Sequence, residues 1–210
     1  MSVGAVSLDA AGTLLHPAEP VADCYARFAR SFGGTRCADE IRGAFAAAMR
    51  MGLPLRTGDP SWRAYWARVV GAATGCADAR LLDALYRHYA APSAWRVADD
   101  ARACIVALRS AGLRVGVLSN WDTRLRPLLD GLGLLPVLDA VVVSGECGFE
   151  KPDARIFAHA AACLGVEPVA LLHVGDDVAA DVAGAVAAGC QALNIDGVGG
   201  FTALAARMLG

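Results

Sequence analysis

Four places in this chain set polar residues at the end of a short apolar run or just ahead of a helical pattern, and those residue types suit the handling of a phosphoryl group. Residues 3–8 lead into Asp9, followed by Ala10, Ala11, Gly12 and Thr13. A buried strand that ends in a carboxylate and a Gly-Thr turn delivers that carboxylate to the mouth of an open sheet, where such sheets place their chemistry. Residues 114–118 lead into Ser119 and Asn120, whose hydroxyl and amide can donate hydrogen bonds to a phosphoryl oxygen. Lys151, just ahead of Pro152, is the only lysine in the sequence. A compact ammonium suits one phosphoryl oxygen and a carboxylate together better than a planar guanidinium does. Residues 170–174 lead into Gly175, Asp176 and Asp177, with Asp181 one helical turn further. Carboxylates gathered at a strand end near Asp9 repel one another unless a cation sits among them.

The stretches between these points must fold the chain so that its strand ends meet. From His16 a polar, proline-bearing connection runs to Pro20, after which Tyr25, Phe28, Ala29 and Phe32 recur at helical spacing before Gly33 and Gly34. Three more helices are expected over residues 38–50, 61–73 and 79–90, and four helices with no strand between them make a small bundle. Trp62, Trp66 and Val69 share a face of the third and are expected in the bundle core. From residue 92, strands at 114–119, 138–143, 170–174 and 191–195 alternate with helices at 99–111, 122–132, 152–164, 178–188 and 201–209, Pro152 taking the first position of its helix. That alternation predicts an α/β fold, a Rossmann-like parallel sheet with helices on both faces, with a helical-bundle cap inserted after the first strand. The expected domains are residues 1–15 with 92–210 for the α/β core, and 16–91 for the cap.

Composition narrows the classes. At 210 residues the chain is long enough for one well-buried domain, or for a core domain carrying a small insertion. Hydrophobic residues make up 56% and the mean hydropathy is +0.43, yet no window approaches the roughly 18 uninterrupted apolar residues of a membrane span. The first residues carry no basic segment, apolar core and small-residue cleavage site, so a cytoplasmic location is expected. A net charge of −2 and dispersed arginines argue against nucleic-acid binding. Seven cysteines without Cys-x-x-Cys spacing predict neither a disulfide framework nor a zinc site.

In order and spacing, Asp9 with Gly12 and Thr13, Ser119 with Asn120, Lys151 with Pro152, and Gly175 and Asp176 with Asp181 resemble the four motifs of the haloacid dehalogenase-like (HAD) hydrolase superfamily. The resemblance spans nearly the whole chain, and the insertion lies where the helical-cap branch of that superfamily carries one. Tyr86, residues 92–97, the run Leu118-Ser-Asn-Trp-Asp122-x-Arg124-Leu125 and the run Gly148-x-x-Lys-Pro-Asp-x-Arg-Ile-Phe157 look most like the haloacid dehalogenase-like hydrolase domain-containing protein 3 group. The superfamily's first motif is usually Asp-x-Asp-Gly-Thr, its first Asp the nucleophile and its second the general acid/base. Ala11 stands in the second place here, and members of that group commonly lack the second Asp as well.

The resemblance implies a phosphoric monoester hydrolase acting on a small phosphorylated metabolite, as a monomer or homodimer. Asp9 would attack phosphorus and form an aspartyl-phosphate, with Mg²⁺ held by Asp9, the backbone carbonyl of Ala11 and Asp176, and Asp177 or Asp181 supporting the metal. Ser119 and Lys151 would hold the phosphoryl oxygens, with Gly12, Thr13 and Asn120 contributing to the substrate site. Loss of general acid/base catalysis costs about 10²- to 10⁴-fold, which slows such a reaction without removing its other terms. His16, entering the cap linker beside the site, is the candidate replacement acid.

Other readings stay open at this point. Metal-independent haloacid dehalogenases also lack the second Asp, but Asp176 and Asp177 add negative charge where a halide and a carboxylate would have to bind. Phosphonoacetaldehyde hydrolases have Ala at the place of Ala11 and need a cap lysine for a Schiff base, which residues 16–91 do not contain. Ala11 also fits a catalytically impaired HAD-fold binding protein. Substrate choice would fall to the cap, where Arg56 and Arg63 could meet a second anionic group.

Overall fold

A computed structural model describes residues 2–52 and 58–210; Arg56 lies outside them. The chain divides into two compact units, Met1–His16 with Val97–Gly210, and Pro17–Arg96.

In chain order the elements are β1 (Ala5–Leu8), β2 (Leu15–Pro17), α1 (Val21–Arg30), α2 (Ala38–Gly52), α3 (Arg63–Thr74), α4 (Ala79–His88), β3 (Trp95–Val97), α5 (Ala101–Ser110), β4 (Arg114–Ser119), α6 (Leu125–Gly131), β5 (Ala140–Val143), α7 (Ser144–Cys147), α8 (Ala154–Cys163), β6 (Leu171–Gly175), a π-helical stretch (Val178–Ala183), α9 (Gly184–Ala187), β7 (Gln191–Asn194), α10 (Ile195–Val198) and α11 (Phe201–Leu209). β2 and β3 pair in a two-stranded sheet of their own; at three residues each they are too short to show a period in the sequence.

The larger unit is built on a five-stranded parallel sheet in the order β5-β4-β1-β6-β7. β1 lies at its centre with all four residues buried, as a strand covered on both faces requires. On one face α8 lays Ile156, Phe157, Ala160 and Ala161 against Ala5, Leu118, Val142 and Leu171. On the other, α5 packs against β4 and α11. The order reverses about β1, so the carboxyl ends of β1, β4 and β6 open on one crevice, the usual ligand position of such sheets.

Among the departures from the sequence expectation, two helix starts and one helix type each have a local reason. α8 begins at Ala154 because the carboxylate of Asp153 accepts the Arg155 N–H and caps it, leaving Pro152 in the preceding turn rather than at the first helical position. α6 begins at Leu125 because Asp122 accepts the Arg124 N–H and turns the chain first. After Asp177 the expected plain helix opens into the π-helical stretch, where Val182 N–H reaches back to the Asp177 carbonyl at 3.3 Å. Such widened turns cluster at functional sites, and this one contains the buried Asp181.

The smaller unit is a bundle of α1–α4. Its core gathers Tyr25, Ile41, Trp62, Tyr65, Val69, Leu81 and Leu85, with Trp66 packed at its edge, so the Trp62, Trp66 and Val69 face is core. Residues 92–96 belong with these helices, and Trp95 Nε1 donates to the Tyr89 carbonyl at 3.0 Å. Arg63 is engaged within the bundle, paired with Asp83 and stacked 4.9 Å from the Tyr86 ring centre. No helix of the described residues is long and apolar enough to cross a membrane.

Candidate active site

Asp9 follows β1 directly, its N–H still bonded to Val174 of β6 at 2.8 Å, and is only 8% exposed. The next residues fold back tightly: Leu14 N–H bonds to the Asp9 carbonyl and Leu15 N–H to the Ala10 carbonyl. Gly12 has φ +84°, and a Cβ there would run into the Asp176 carboxylate, so glycine is required both by the backbone and by the approach of that side chain. Thr13 Oγ1 donates to Asp176 Oδ1 at 2.9 Å, while Asn194 Nδ2 holds the Asp176 carbonyl at 2.9 Å. Ala11 is exposed at the tip of this turn.

Lys151 reaches the same place from the loop ahead of α8 and is 4% exposed. Its Nζ donates to Asp9 Oδ1 at 2.7 Å, to Asp181 Oδ1 at 2.5 Å and to the Leu118 carbonyl at 3.2 Å. Burial pulls the ammonium down, but Asp9 and Asp181 outweigh it and hold its pKa above the ordinary value. It is therefore a permanent cation beside Asp9. Ser119, 2% exposed, ends β4 one residue beyond that Leu118 carbonyl.

Asn120 does something the sequence reading did not anticipate. Its amide is turned to the main chain of Lys151, Oδ1 accepting the Lys151 N–H at 2.7 Å and Nδ2 donating to the Lys151 carbonyl at 2.9 Å. Asp177 likewise caps the following turn, accepting the N–H groups of Ala179 and Ala180, and is exposed. Asp181, not Asp177, joins Asp9 and Asp176 in a cluster whose carboxylate oxygens lie within 4.8 Å of one another. His16 sits half-buried in β2, and among the described residues no hydrogen bond joins it to Asp9 or Asp176.

Two buried residues of this network were missed in the sequence. His173, 0% exposed, places Nε2 3.1 Å from Asp181 Oδ1 and Nδ1 2.9 Å from Ser7 Oγ. Burial lowers its pKa and keeps it neutral, so the nitrogen facing the carboxylate carries the proton and the other accepts from the serine. Ser7 and His173 are direct register partners on β1 and β6. Each is a lone polar residue in a buried apolar strand, and that was the available signal.

Asp181 is thus held by Lys151, His173 and the Asp177 N–H, which donates to Asp181 Oδ2 at 3.0 Å. Burial raises its pKa, but the His173 hydrogen bond and the Lys151 charge more than offset this and leave it well below the carboxylate range. Asp176 moves the other way, raised by burial and by Asp9 despite the Thr13 hydrogen bond. Lys151 pairs with Asp9 and Asp181, two of the three clustered carboxylates, and the cluster could hold a further cation. Its donors are all oxygen, the set preferred by a hard divalent ion.

A family model described as hydrolase, haloacid dehalogenase-like hydrolase, matches residues 3–189. Haloacid dehalogenase-like hydrolase domain-containing protein 3 of Homo sapiens is 32% identical, over 94% of this chain and 83% of its own length. The phosphoserine phosphatase of Thermus thermophilus is 39% identical over 46% of this chain and 39% of its own. A crystal structure of a dehalogenase superposes with TM-score 0.71 at 25% identity, over 93% of this chain and 85% of that one.

Proposed function

The chain belongs to the haloacid dehalogenase-like hydrolase family and to its domain-containing protein 3 group, and on that premise we propose that it is a slow, Mg²⁺-dependent phosphatase of small phosphomonoesters. The observation that carries this reading is the placement of Asp176 beside Asp9, giving a buried all-oxygen cluster with more negative charge than Lys151 neutralises. A haloacid's own carboxylate would meet that charge unscreened, whereas a phosphoryl group arrives with a divalent cation. The likeness to a phosphoserine phosphatase supports the same class.

Asp9, Asp176 and the Ala11 carbonyl would hold the ion. Bound there, Mg²⁺ supplies charge neutralisation for the phosphoryl oxygens. One Asp9 oxygen stays on Lys151 while the other attacks phosphorus; the new O–P bond forms as the bond to the leaving oxygen breaks. Lys151 and Ser119 bind the non-bridging oxygens. With a methyl group at position 11, the leaving oxygen takes its proton from solvent or departs as the anion. Water then attacks phosphorus, releasing phosphate and restoring Asp9.

A panel of phosphomonoesters assayed with Mg²⁺ and with excess chelator tests this, with 2-haloacids run in parallel. Chelator-sensitive phosphate release is expected. Halide release indifferent to Mg²⁺ would replace the reading with dehalogenation, and activity on neither class would favour a binding protein.

A further inference from the structure

The helical unit brings together a second set of metal-binding groups that no sequence spacing announces. Glu19 lies in the connection ahead of α1, Cys24 on α1 and His88 at the end of α4. A carboxylate oxygen, the thiol sulfur and an imidazole nitrogen of these three lie within 4.8 Å of one another, with Glu19 Oε1 and His88 Nε2 3.9 Å apart. Beside them is an independent sign of a missing partner. The Tyr89 hydroxyl, a buried polar atom among the described residues, has no partner beyond the Cys24 thiol, a weak one, beside it. Native interiors rarely leave such a group unmet.

We propose that Glu19, Cys24 and His88 form a Zn²⁺ site. One oxygen, one nitrogen and one sulfur donor are the wrong set for Mg²⁺ or Ca²⁺ and the right one for zinc. Three protein ligands leave the fourth tetrahedral position to a water, which can hydrogen-bond the Tyr89 hydroxyl. Zinc bonds of about 2.0–2.3 Å set ligand atoms roughly 3.3–3.8 Å apart, so the donors must close by about 1 Å. Glu19 and His88, whose side chains are 38% and 23% exposed, have the freedom to do so around a fixed, fully buried Cys24. As the sulfur–zinc bond forms, the thiol proton passes to solvent. Burial keeps His88 neutral and so ready to coordinate, and raises the Cys24 thiol to about 11, which makes uptake proton-linked.

Arg27 is the competitor. Its guanidinium pairs with Glu19 and lies 3.8 Å from Cys24 Sγ, so a cationic side chain already stands at the cluster. That side chain is half exposed, and a surface pair of this kind contributes little, so zinc can turn it out into solvent.

The test uses the full chain, stripped with chelator and kept in excess Mg²⁺ so that the all-oxygen cluster is occupied by a hard ion. It is titrated with Zn²⁺ against a chromophoric chelator and, separately, with Co²⁺ as a spectroscopic stand-in. One equivalent of zinc is expected, and the cobalt form should show thiolate charge-transfer absorption with the visible bands of a tetrahedral ion. Cys24→Ser should abolish the charge-transfer band. Cys24→Ser and His88→Gln should each weaken zinc binding by more than about tenfold, the least that even an outer-shell change costs. Arg27→Gln should tighten it. Cys37→Ser and Cys163→Ser, at exposed thiols, should change nothing. Circular dichroism checks folding, and if Cys24→Ser does not fold, His88→Gln carries the test alone. No zinc-induced signal in the wild type, or binding that survives His88→Gln in folded protein, overturns the site.

Discussion

The carboxamide of Asn120 grips the main chain of Lys151 on both polar groups, at 2.7 and 2.9 Å, so the end of β4 fixes a loop 31 residues further along the chain. Lys151 owes its place beside Asp9 to that grip as much as to its charge.

Replacing Asn120 with Ala is therefore expected to cost turnover without touching a reacting group. Two lost hydrogen bonds at a half-buried position should lower stability by about 1–3 kcal/mol. An ammonium misplaced by an ångström should lower kcat/KM by roughly 10²-fold. Kinetics on an aryl phosphate, beside a melting curve, separate the two; wild-type kinetics in a destabilised variant would show that the grip is structural only.

Asp9→Asn should abolish hydrolysis while the fold persists, because the amide keeps the shape and loses the nucleophile. Phosphate release at the wild-type level in that variant, or in excess chelator, is incompatible with the mechanism.

The methyl group at position 11 predicts a dependence on the leaving group. Acyl and aryl phosphates, whose leaving oxygens need no proton, should turn over faster than alkyl phosphates. Ala11→Asp should narrow the gap by raising alkyl phosphate turnover, with about 10²- to 10⁴-fold as the ceiling for a well-placed acid. Position 11 is exposed, so the carboxylate has room. A folded Ala11→Asp protein with no gain on any phosphomonoester would mean that the site is not waiting for an acid. His16→Ala, assayed across pH, shows whether the imidazole has taken that role.

His173 makes stability depend on pH. Burial lowers its folded pKa, while in the unfolded chain it titrates near its ordinary value of about 6.5. Below that value the unfolded state binds more protons, so stability is fully present above about pH 6.5 and falls on acidification towards the folded pKa, by at most about 1.4 kcal/mol per pH unit. His88 is shifted the same way and adds to the slope. Denaturant midpoints near pH 7.5 and near pH 5.5, for wild type and His173→Asn, isolate the His173 share; equal slopes in both proteins would remove it.

What the sequence made legible was the set of strand ends. Asp9, Ser119 and Asp176 each close an apolar run, and a polar residue at such a boundary stands out against burial. Lys151 stood out by being the only one of its kind. Partners inside the strands did not: Ser7 and His173 read as interruptions of a hydrophobic run until the register set them opposite each other. Asn120 was legible as a hydrogen-bonding group but not as one already committed to Lys151, because its partner is main chain. The turn that carries Asp181 departs from a plain helix through a backbone hydrogen bond, which side-chain periodicity does not encode. Glu19 and Cys24 are five residues apart, and only the packing of α1 on α4 brings the distant His88 to them.

The Lys151 ammonium has three hydrogens, and Asp9, Asp181 and the Leu118 carbonyl take all of them. An oxyanion that reaches it cannot be added; it must be swapped in. The neutral carbonyl, at 3.2 Å the longest of the three, is the partner most readily traded, and giving up Asp9 instead would unclamp the nucleophile just as its target arrives. Either exchange sets a bond broken against each bond made. Free phosphate should therefore be held weakly, and the product should leave with the help of the protein's own carboxylates closing back onto the lysine.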